Sequence, residues 1–427
     1  MKLSFTFIIL LALSLQAAMP SNNGGVIDWR YLNKKSTQNV RYATARSGAT
    51  EKEKGFAYLN SLRTGTGLIT YTYNDDLNDA AQNHTDYLVY HNLFGHYEDK
   101  DNYPELFTGT YPWDRGEAAG YTQYTAYSEN ISAQSDTVYE SIDGLISAIY
   151  HRFGFLSFNT NEIGIGISSN DDNTYKVYNY DTGNRDSISD TRKLNPVYAL
   201  WPYGGYNKAQ TSFANNESPD PLPECPKYGI AGNPISIEFN PDKNGAVTID
   251  SFKLFKNDGT EITDTKILTK DSDPNNYLSA EQFVLFPMKS LNVDSRYSVE
   301  FKYSESGESK TISWHFNTKR YESRRYEVTD GNSYDVISGE TYIIHVKPTD
   351  CTTALGGYSW NNSSTTIERL EVDLFRISAT GDTTFYFPDD QSPELTFTLH
   401  IAPTDNAIAP SNQITTNIIP VMDYLLF

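Results

Sequence analysis

The spacing of apolar residues changes once along this chain of 427 residues, from helical to alternating. Between residues 51 and 152, apolar side chains recur three and four positions apart, as at Leu77, Ala80 and Ala81. This spacing is typical of amphipathic helices. From residue 162 onward, short segments such as Glu162–Ser168 and Thr341–Val346 alternate instead, which predicts strands. Helices followed by a sheet, and then strands alone, favour an α+β domain followed by β-rich domains.

The start of the chain and its length set the expected domain organisation. Residues 1–18 have a basic start, an apolar run and small residues at the end, which predicts a cleaved secretory signal peptide. The apolar run is shorter than the roughly 20 residues that span a bilayer, so we expect no transmembrane segment after cleavage. At about 100–200 residues per domain, the remainder divides into a flexible leader (19–50), an α+β domain closed by a Pro-rich linker (51–224), a β-sandwich (225–319) and a second β-rich domain (320–427).

Charge and cysteine content narrow the possible partners and the sources of stability. The net charge of −20 repels phosphate backbones, so we expect no nucleic-acid partner. Cys225 and Cys351 are the only cysteines. A chain of this length with two cysteines takes its stability from its cores, and the pair forms either one disulfide or none.

Four short motifs in the first domain occur in a characteristic order. They are Tyr58–Arg63, Phe94-Gly-His96, Ser128-Glu-Asn-Ile131 and Tyr150-His-Arg152. Their order and spacing resemble the CAP superfamily (cysteine-rich secretory proteins, antigen 5, pathogenesis-related 1), in its bacterial SCP-like extracellular branch. The resemblance covers residues 50–224 and implies an α-β-α sandwich.

The second domain carries a weaker resemblance. Its last predicted strand reads Trp314-x-Phe316-x-Thr318 and resembles the closing strand of bacterial Ig-like modules. The expected fold class is therefore α+β: an α-β-α sandwich CAP domain followed by two β-sandwich (Ig-like) domains.

The CAP resemblance implies a cleft lined by His96, Glu129 and His151, with Asn130 as a structural hydrogen-bonding residue. Imidazoles suit Zn²⁺, Ni²⁺ or Cu²⁺, so His96 and His151 are the expected metal ligands. Glu129 would be a further ligand, an outer partner of a histidine, or a proton acceptor. A polar cleft without metal and separate structural roles for the two histidines are the alternatives.

The first domain also departs from the family pattern. Eukaryotic members carry a second cleft glutamate shortly before the later histidine, whereas the turn before His151 has no acid. Glu98 and Asp143 are the candidates to replace it; otherwise both are surface acids. His84 lies on the apolar stripe of the second predicted helix, so we expect a hydrogen-bonded core histidine there.

Sequence favours binding over catalysis. The chain has no His-Glu-x-x-His motif, no Gly-x-Ser-x-Gly motif and no phosphate-binding glycine loop. We therefore expect a secreted, periplasmic or cell-envelope-associated protein that binds a divalent metal, a small ligand or an envelope component. One alternative is a metal-assisted hydrolase in which Glu129 is the catalytic base that activates water. The other is a structural or adhesive surface protein.

Overall fold

The computed structural model describes residues 50–171, 173–355, 357–387 and 393–402. The predicted signal peptide (1–18) and all but the last residue of the predicted leader (19–50) lie outside these ranges. Within them, no helix has the length and apolar character needed to cross a membrane. The helices are α1 (Glu51–Gly65), α2 (Asp75–His91), α3 (Pro112–Ala119), α4 (Val138–Ser147), α5 (Ile149–Phe155) and α6 (Ile188–Leu194).

The first unit is a three-layer α-β-α sandwich around a four-stranded sheet. Its strands are β1 (Thr72–Tyr73), β2 (Ala126–Ala133), β3 (Glu162–Ser169) and β4 (Lys176–Asn184), in the spatial order β1-β3-β4-β2. On one face, α2 lies directly on β3, because a Cβ at Gly164 would be 2.0 Å from the backbone nitrogen of Asn78. On the other face, Ile163 and Ile165 are buried against α1 and α4.

The spacing of apolar residues from 137 to 152 predicts one continuous helix, and this prediction is wrong because the structure has two helices there. The chain is extended at Ala148 (φ −81°, ψ 123°), between α4 and α5. A buried carboxylate, that of Glu217, accepts hydrogen bonds from the first backbone N–H groups of α5. These donors are therefore satisfied from outside the helix, which lets a new helix start at Ile149.

The second unit is a β-sandwich of two four-stranded sheets, with the orders β10-β9-β13-β14 and β11-β12-β8-β5. Side chains of the two sheets meet inside, as where the rings of Phe283 and Phe301 lie 5.3 Å apart. A separate two-stranded ribbon, β6-β7, lies between β5 and β8 in the chain. The strands are β5 (Tyr198–Trp201), β6 (Ser212–Ala214), β7 (Ile230–Gly232), β8 (Ile235–Phe239), β9 (Val247–Lys256), β10 (Glu261–Ile262), β11 (Thr265–Leu268), β12 (Gln282–Pro287), β13 (Arg296–Glu305) and β14 (Glu308–Asn317).

The third unit is also built from two facing sheets, with the orders β15-β17-β20-β19 and β16-β22-β21-β18. Phe375 and Phe387 pack across them with ring centres 5.4 Å apart. The strands are β15 (Arg324–Val328), β16 (Asn332–Val336), β17 (Thr341–Val346), β18 (Ser359–Trp360), β19 (Thr366–Glu371), β20 (Leu374–Ser378), β21 (Thr383–Phe387) and β22 (Leu395–Ile401). The predicted fold class is thereby confirmed.

The units are joined by a strand, a shared core and a disulfide. Strand β5 lies before the predicted boundary at residues 224 and 225, yet it pairs with β8 of the second unit; the boundary itself stays a prediction. Cys225 and Cys351 form a disulfide. Both cysteines lie in a core cluster that also contains Ile149, Tyr150 and Phe153 of α5. The helix that carries His151 is therefore packed against the second unit and the disulfide.

Candidate functional site

The first component of the site is a hydrogen-bonded pair formed by His96 and Glu129. His96 lies in the loop after α2, and its Nδ1 atom is 2.7 Å from Oε1 of Glu129 on β2. The Glu129 side chain is 1% exposed and that of His96 is 10% exposed. One edge of the His96 ring is therefore exposed to solvent, while its Nδ1 atom is hydrogen-bonded to a buried carboxylate.

Arg115 of α3 fixes the other oxygen of this carboxylate. Its Nη2 atom donates to Oε2 of Glu129 at 2.5 Å, and its Nη1 atom donates to the carbonyl oxygen of His96 at 3.0 Å. Asn179 also donates to Oε2, at 2.8 Å. Burial alone would raise the pKa of Glu129, but the charges of Arg115 and His84 and the contact with His96 outweigh it and hold the pKa well below its usual range. Glu129 is therefore ionised and fully engaged.

A second buried acid faces Glu129 across the sheet. Asp181 of β4 is the cross-strand partner of Glu129 and is fully buried. Burial, and then the charge of Glu129, raise the pKa of Asp181 well above its usual range. Ionisation of Asp181 is therefore disfavoured beside the ionised Glu129. The alternating pattern of β4 is the signal that could have indicated this residue from the sequence.

The second component of the site is a pair between His151 and Glu217. Nδ1 of His151 lies 3.0 Å from Oε1 of Glu217. The same carboxylate accepts hydrogen bonds from the backbone N–H of Ile149 (2.8 Å) and of Tyr150 (2.7 Å). Since α5 has no side-chain cap of its own, Glu217 orients both the helix start and the ring.

Asn130 connects the two pairs. It follows Glu129 on β2, so its side chain projects from the opposite face of the strand. Its Nδ2 atom donates to the carbonyl oxygen of His151 at 3.0 Å. His96 is thus hydrogen-bonded directly to Glu129. His151 contacts β2 through the hydrogen bond from Asn130 to its carbonyl oxygen, and its ring is hydrogen-bonded to a different carboxylate, that of Glu217.

Neither acid suggested by the sequence replaces the absent cleft glutamate. Glu98 lies 3.0 Å from Nδ1 of the fully buried His84 and also accepts the backbone N–H of Thr108 at 2.7 Å. Asp143 accepts the hydroxyl of Tyr58 at 2.5 Å. The acid at His151 is Glu217, 66 residues later in the chain. Little in the sequence indicates the role of Glu217, which is a single glutamate before the run Ser218-Pro-Asp-Pro-Leu.

The placement of Asp143 leads to a prediction about pH. Burial raises the pKa of Asp143 to about 6, despite the hydrogen bond from Tyr58. The folded state therefore holds a proton that the unfolded state has lost, and the stability contributed by this group falls as the pH rises towards 6. Asp143→Asn keeps an acceptor for Tyr58 and is expected to stabilise the protein at pH 8 by about 1–2 kcal/mol, since solvent at this half-buried position screens part of the cost. Urea unfolding at pH 4 should show no difference; an equal gain at both pH values would contradict this account.

The donor atoms left at the site are the Nε2 atoms of His96 and His151. Each ring has its Nδ1 on a carboxylate, an arrangement common among metal-binding histidines because it fixes the tautomer with a free Nε2 lone pair. The two carboxylates are occupied by Arg115, by Asn179 and by backbone N–H groups. Accordingly, in the residues that the structure describes, no cluster of three His, Cys, Asp or Glu side chains could hold a metal ion. The chemistry of the donors fits a Zn²⁺, Ni²⁺ or Cu²⁺ ion held by imidazole, with the other positions left to water or ligand atoms.

Comparison with known proteins gives a family for the first unit. Residues 56–180 match the family model "CAP: Cysteine-rich secretory protein family". Among curated proteins, none matches the chain.

Solved structures that are similar to parts of the chain include an extracellular protein containing an SCP domain from Bacillus anthracis, with 22% identity over 31% of this chain and a TM-score of 0.26. The chain covers 40% of the length of that protein. An outer surface protein from Borrelia burgdorferi is 15% identical over 32% of this chain and 93% of its own, with a TM-score of 0.28. A tandem of titin immunoglobulin domains is 12% identical over 40% of this chain and 87% of its own, with a TM-score of 0.15. The helices and sheet of the first unit, with the family match over 56–180, therefore make this part of the chain a CAP domain of the cysteine-rich secretory protein family.

Proposed function

We propose that this protein is exported and that its CAP domain binds a small ligand through His96 and His151, with a divalent transition metal as the first ligand to test. The proposal rests on the hydrogen-bonding arrangement that the two histidine rings share. Each has Nδ1 on a buried carboxylate and an Nε2 atom with no hydrogen-bond partner among the described residues. A neutral imidazole in this state offers a lone pair at Nε2, ready for a metal ion or a hydrogen-bond donor.

Binding is favoured over hydrolysis because Glu129 is a poor base. A general base works best with a pKa near the working pH and with an oxygen free to take the proton. The pKa of Glu129 is instead held far below that range by Arg115 and His96, and both of its oxygens are engaged. When bound, a metal would supply a Lewis acid at Nε2. The carboxylates of Glu129 and Glu217 would fix the two rings.

Action outside the cytoplasm is supported by two features of the chain. The first residues have the pattern of a secretory signal peptide. The Cys225–Cys351 disulfide is of a kind that persists in oxidising compartments and is rare in the cytosol. We therefore place the binding site in the cell envelope or outside the cell.

The test is a titration of the purified, metal-free protein with Ni²⁺, Zn²⁺ and Cu²⁺. We expect binding by the unaltered protein and a loss of affinity of about 100-fold or more in the His96→Ala, His151→Ala double variant, because the variant lacks both Nε2 donors of the proposed site. His400→Ala removes a histidine that is 46% exposed in the third unit and is the matched control, with unchanged affinity. Equal heats before and after removal of His96 and His151 would end the metal hypothesis.

A further inference from the structure

The side chains around His151 come from two parts of the chain. The residues that match the CAP family end at 180, but Glu217, which holds the ring of His151, lies beyond them. Its side chain is fully buried and accepts four hydrogen bonds from α5: the backbone N–H groups of residues 149, 150 and 151 and Nδ1 of His151. One residue outside the matched region thus determines how this histidine is oriented.

The segment that carries Glu217 is itself rigidly held. It forms the loop between β6 and β7, which pair with each other. Asn215 closes this loop by donating from Nδ2 to the carbonyl oxygens of Leu222 and Cys225, at 3.1 and 3.0 Å. Cys225 is then bonded to Cys351 of the third unit. Glu217 is therefore a fixed part of the site.

A loop of the second unit, residues 273–278, forms the adjacent wall. The hydroxyl of Tyr150, next to His151, donates to Asp273 and accepts from Asn275 at 2.9 Å. Asp273 also accepts the backbone N–H groups of Tyr277 and Leu278, at 2.7 and 2.8 Å, which fixes the conformation of the loop. The ring of Tyr277 then packs on Tyr150 with centres 5.4 Å apart.

Tyr277 is only half-buried. Part of the residue therefore remains exposed beside Tyr150, the neighbour of His151.

We infer that the binding cleft is composite: Glu217 is the positioning residue for His151, and Tyr277 of the second unit, which packs on Tyr150, is the wall that limits access to His151. The identity of the ligand rests on the proposed function, whereas the positions of Glu217 and Tyr277 around His151 do not depend on it. The CAP unit and the second unit then act as one binding unit, and the second unit determines which ligands can enter.

The role of Glu217 is tested in the metal-free protein by ¹⁵N NMR of the imidazole rings, which reports the tautomer directly. In the unaltered protein, His151 and His96 should both carry their proton on Nδ1. Glu217→Ala should move His151 to the form protonated at Nε2 that free imidazole favours in water, while His96, held by Glu129, is unchanged. Glu224→Ala removes a surface glutamate of the same loop, paired with Lys266, and should change neither ring. An unchanged His151 tautomer in Glu217→Ala would overturn the assignment.

A Ni²⁺ titration of the same variants separates this inference from the proposed function. We expect Glu217→Ala to lower the Ni²⁺ affinity by about 10–100-fold, as loss of an outer carboxylate partner usually does. If the unaltered protein binds no Ni²⁺, the proposed metal site fails while the tautomer measurement still decides the role of Glu217. If Glu217→Ala shifts both rings, the variant has lost its fold, and Tyr277→Ala decides whether the cleft is composite.

The role of Tyr277 is tested by the rate at which diethyl pyrocarbonate modifies each histidine, mapped by mass spectrometry. Tyr277→Ala should make His151 react severalfold faster. His400, exposed in the third unit, is the internal control with an unchanged rate. An equal rate at His151 in the two proteins would contradict a role for Tyr277 in limiting access.

Discussion

Replacing Arg115 by Met is expected to destabilise the CAP domain by about 3–5 kcal/mol, because it leaves buried carboxylate charge without its partner. The Arg115 side chain is fully buried and donates to Glu129 at 2.5 Å. It also lies 3.9 Å from Glu98. Methionine fills a similar volume but donates no hydrogen bond, so the effect is electrostatic rather than one of packing. The measurement is the urea midpoint for unfolding of the CAP domain within the full chain at pH 8.

The pH dependence of the stability lost in Arg115→Met distinguishes an unpaired Glu129 charge from general misfolding as the cause. In the unaltered protein the pKa of Glu129 lies below its unfolded value, so its ionised form contributes stability that is lost only as the pH falls through the folded pKa. Without Arg115, burial should raise that pKa above the unfolded value, and the variant should gain relative stability as Glu129 takes up a proton. The difference between the two proteins should therefore shrink from pH 8 to pH 4. A constant difference would contradict the ion-pair explanation.

Two further variants complete this test. Arg115→Met with Glu129→Gln removes both charges and should recover part of the loss, since the unpaired charge is the main cost. Arg324→Met breaks an exposed pair with Glu340, at 3.4 Å, and should change stability by no more than about 1 kcal/mol.

Removal of the disulfide should have an effect of similar size. Cys225 and Cys351 are 126 residues apart in sequence, and closing a loop of this length is worth about 4–5 kcal/mol in the chain-entropy model. Cys225→Ser with Cys351→Ser should lower the thermal midpoint and expose the segment between the second and third units to proteases. Because these are the only two cysteines, the reduced unaltered protein should behave like the variant, and reductant should not affect the variant. Equal midpoints for the oxidised and reduced proteins would refute a stabilising bridge.

Sequence periodicity predicted the elements whose apolar faces meet a single core. The helix with Leu77, Ala80 and Ala81 is α2, and all three residues are buried. In β3, Gly164 and Gly166 leave room for α2, whose backbone lies against both. These elements are predictable because the hydrophobic effect acts on a local, regular pattern.

The parts that sequence did not predict depend on contacts between distant residues. The break at Ala148 follows from Glu217, which reaches α5 from more than sixty residues away. No local pattern marks this, since the spacing of Ile142, Leu145 and Ile149 is helical across the break. The role of Arg115 was not predicted for the same reason. It depends on the charges of Glu129 on β2 and Asp181 on β4, which are close to Arg115 only in the folded protein. Buried polar networks of this kind follow from the assembled fold rather than from any one segment.

The pairing of β5 with β8 has a consequence for how this protein can be divided. Strand β5 lies in the middle of the chain but at the edge of a sheet, where β8 is its hydrogen-bonded neighbour. A fragment that ended at residue 224 would carry Tyr198–Trp201 with those backbone groups unpaired and two of its side chains, Ala199 and Trp201, taken from a buried environment. Such an open apolar edge is a template for aggregation. The unit that can be inherited, transplanted or expressed intact is therefore the CAP domain together with the sandwich that follows it.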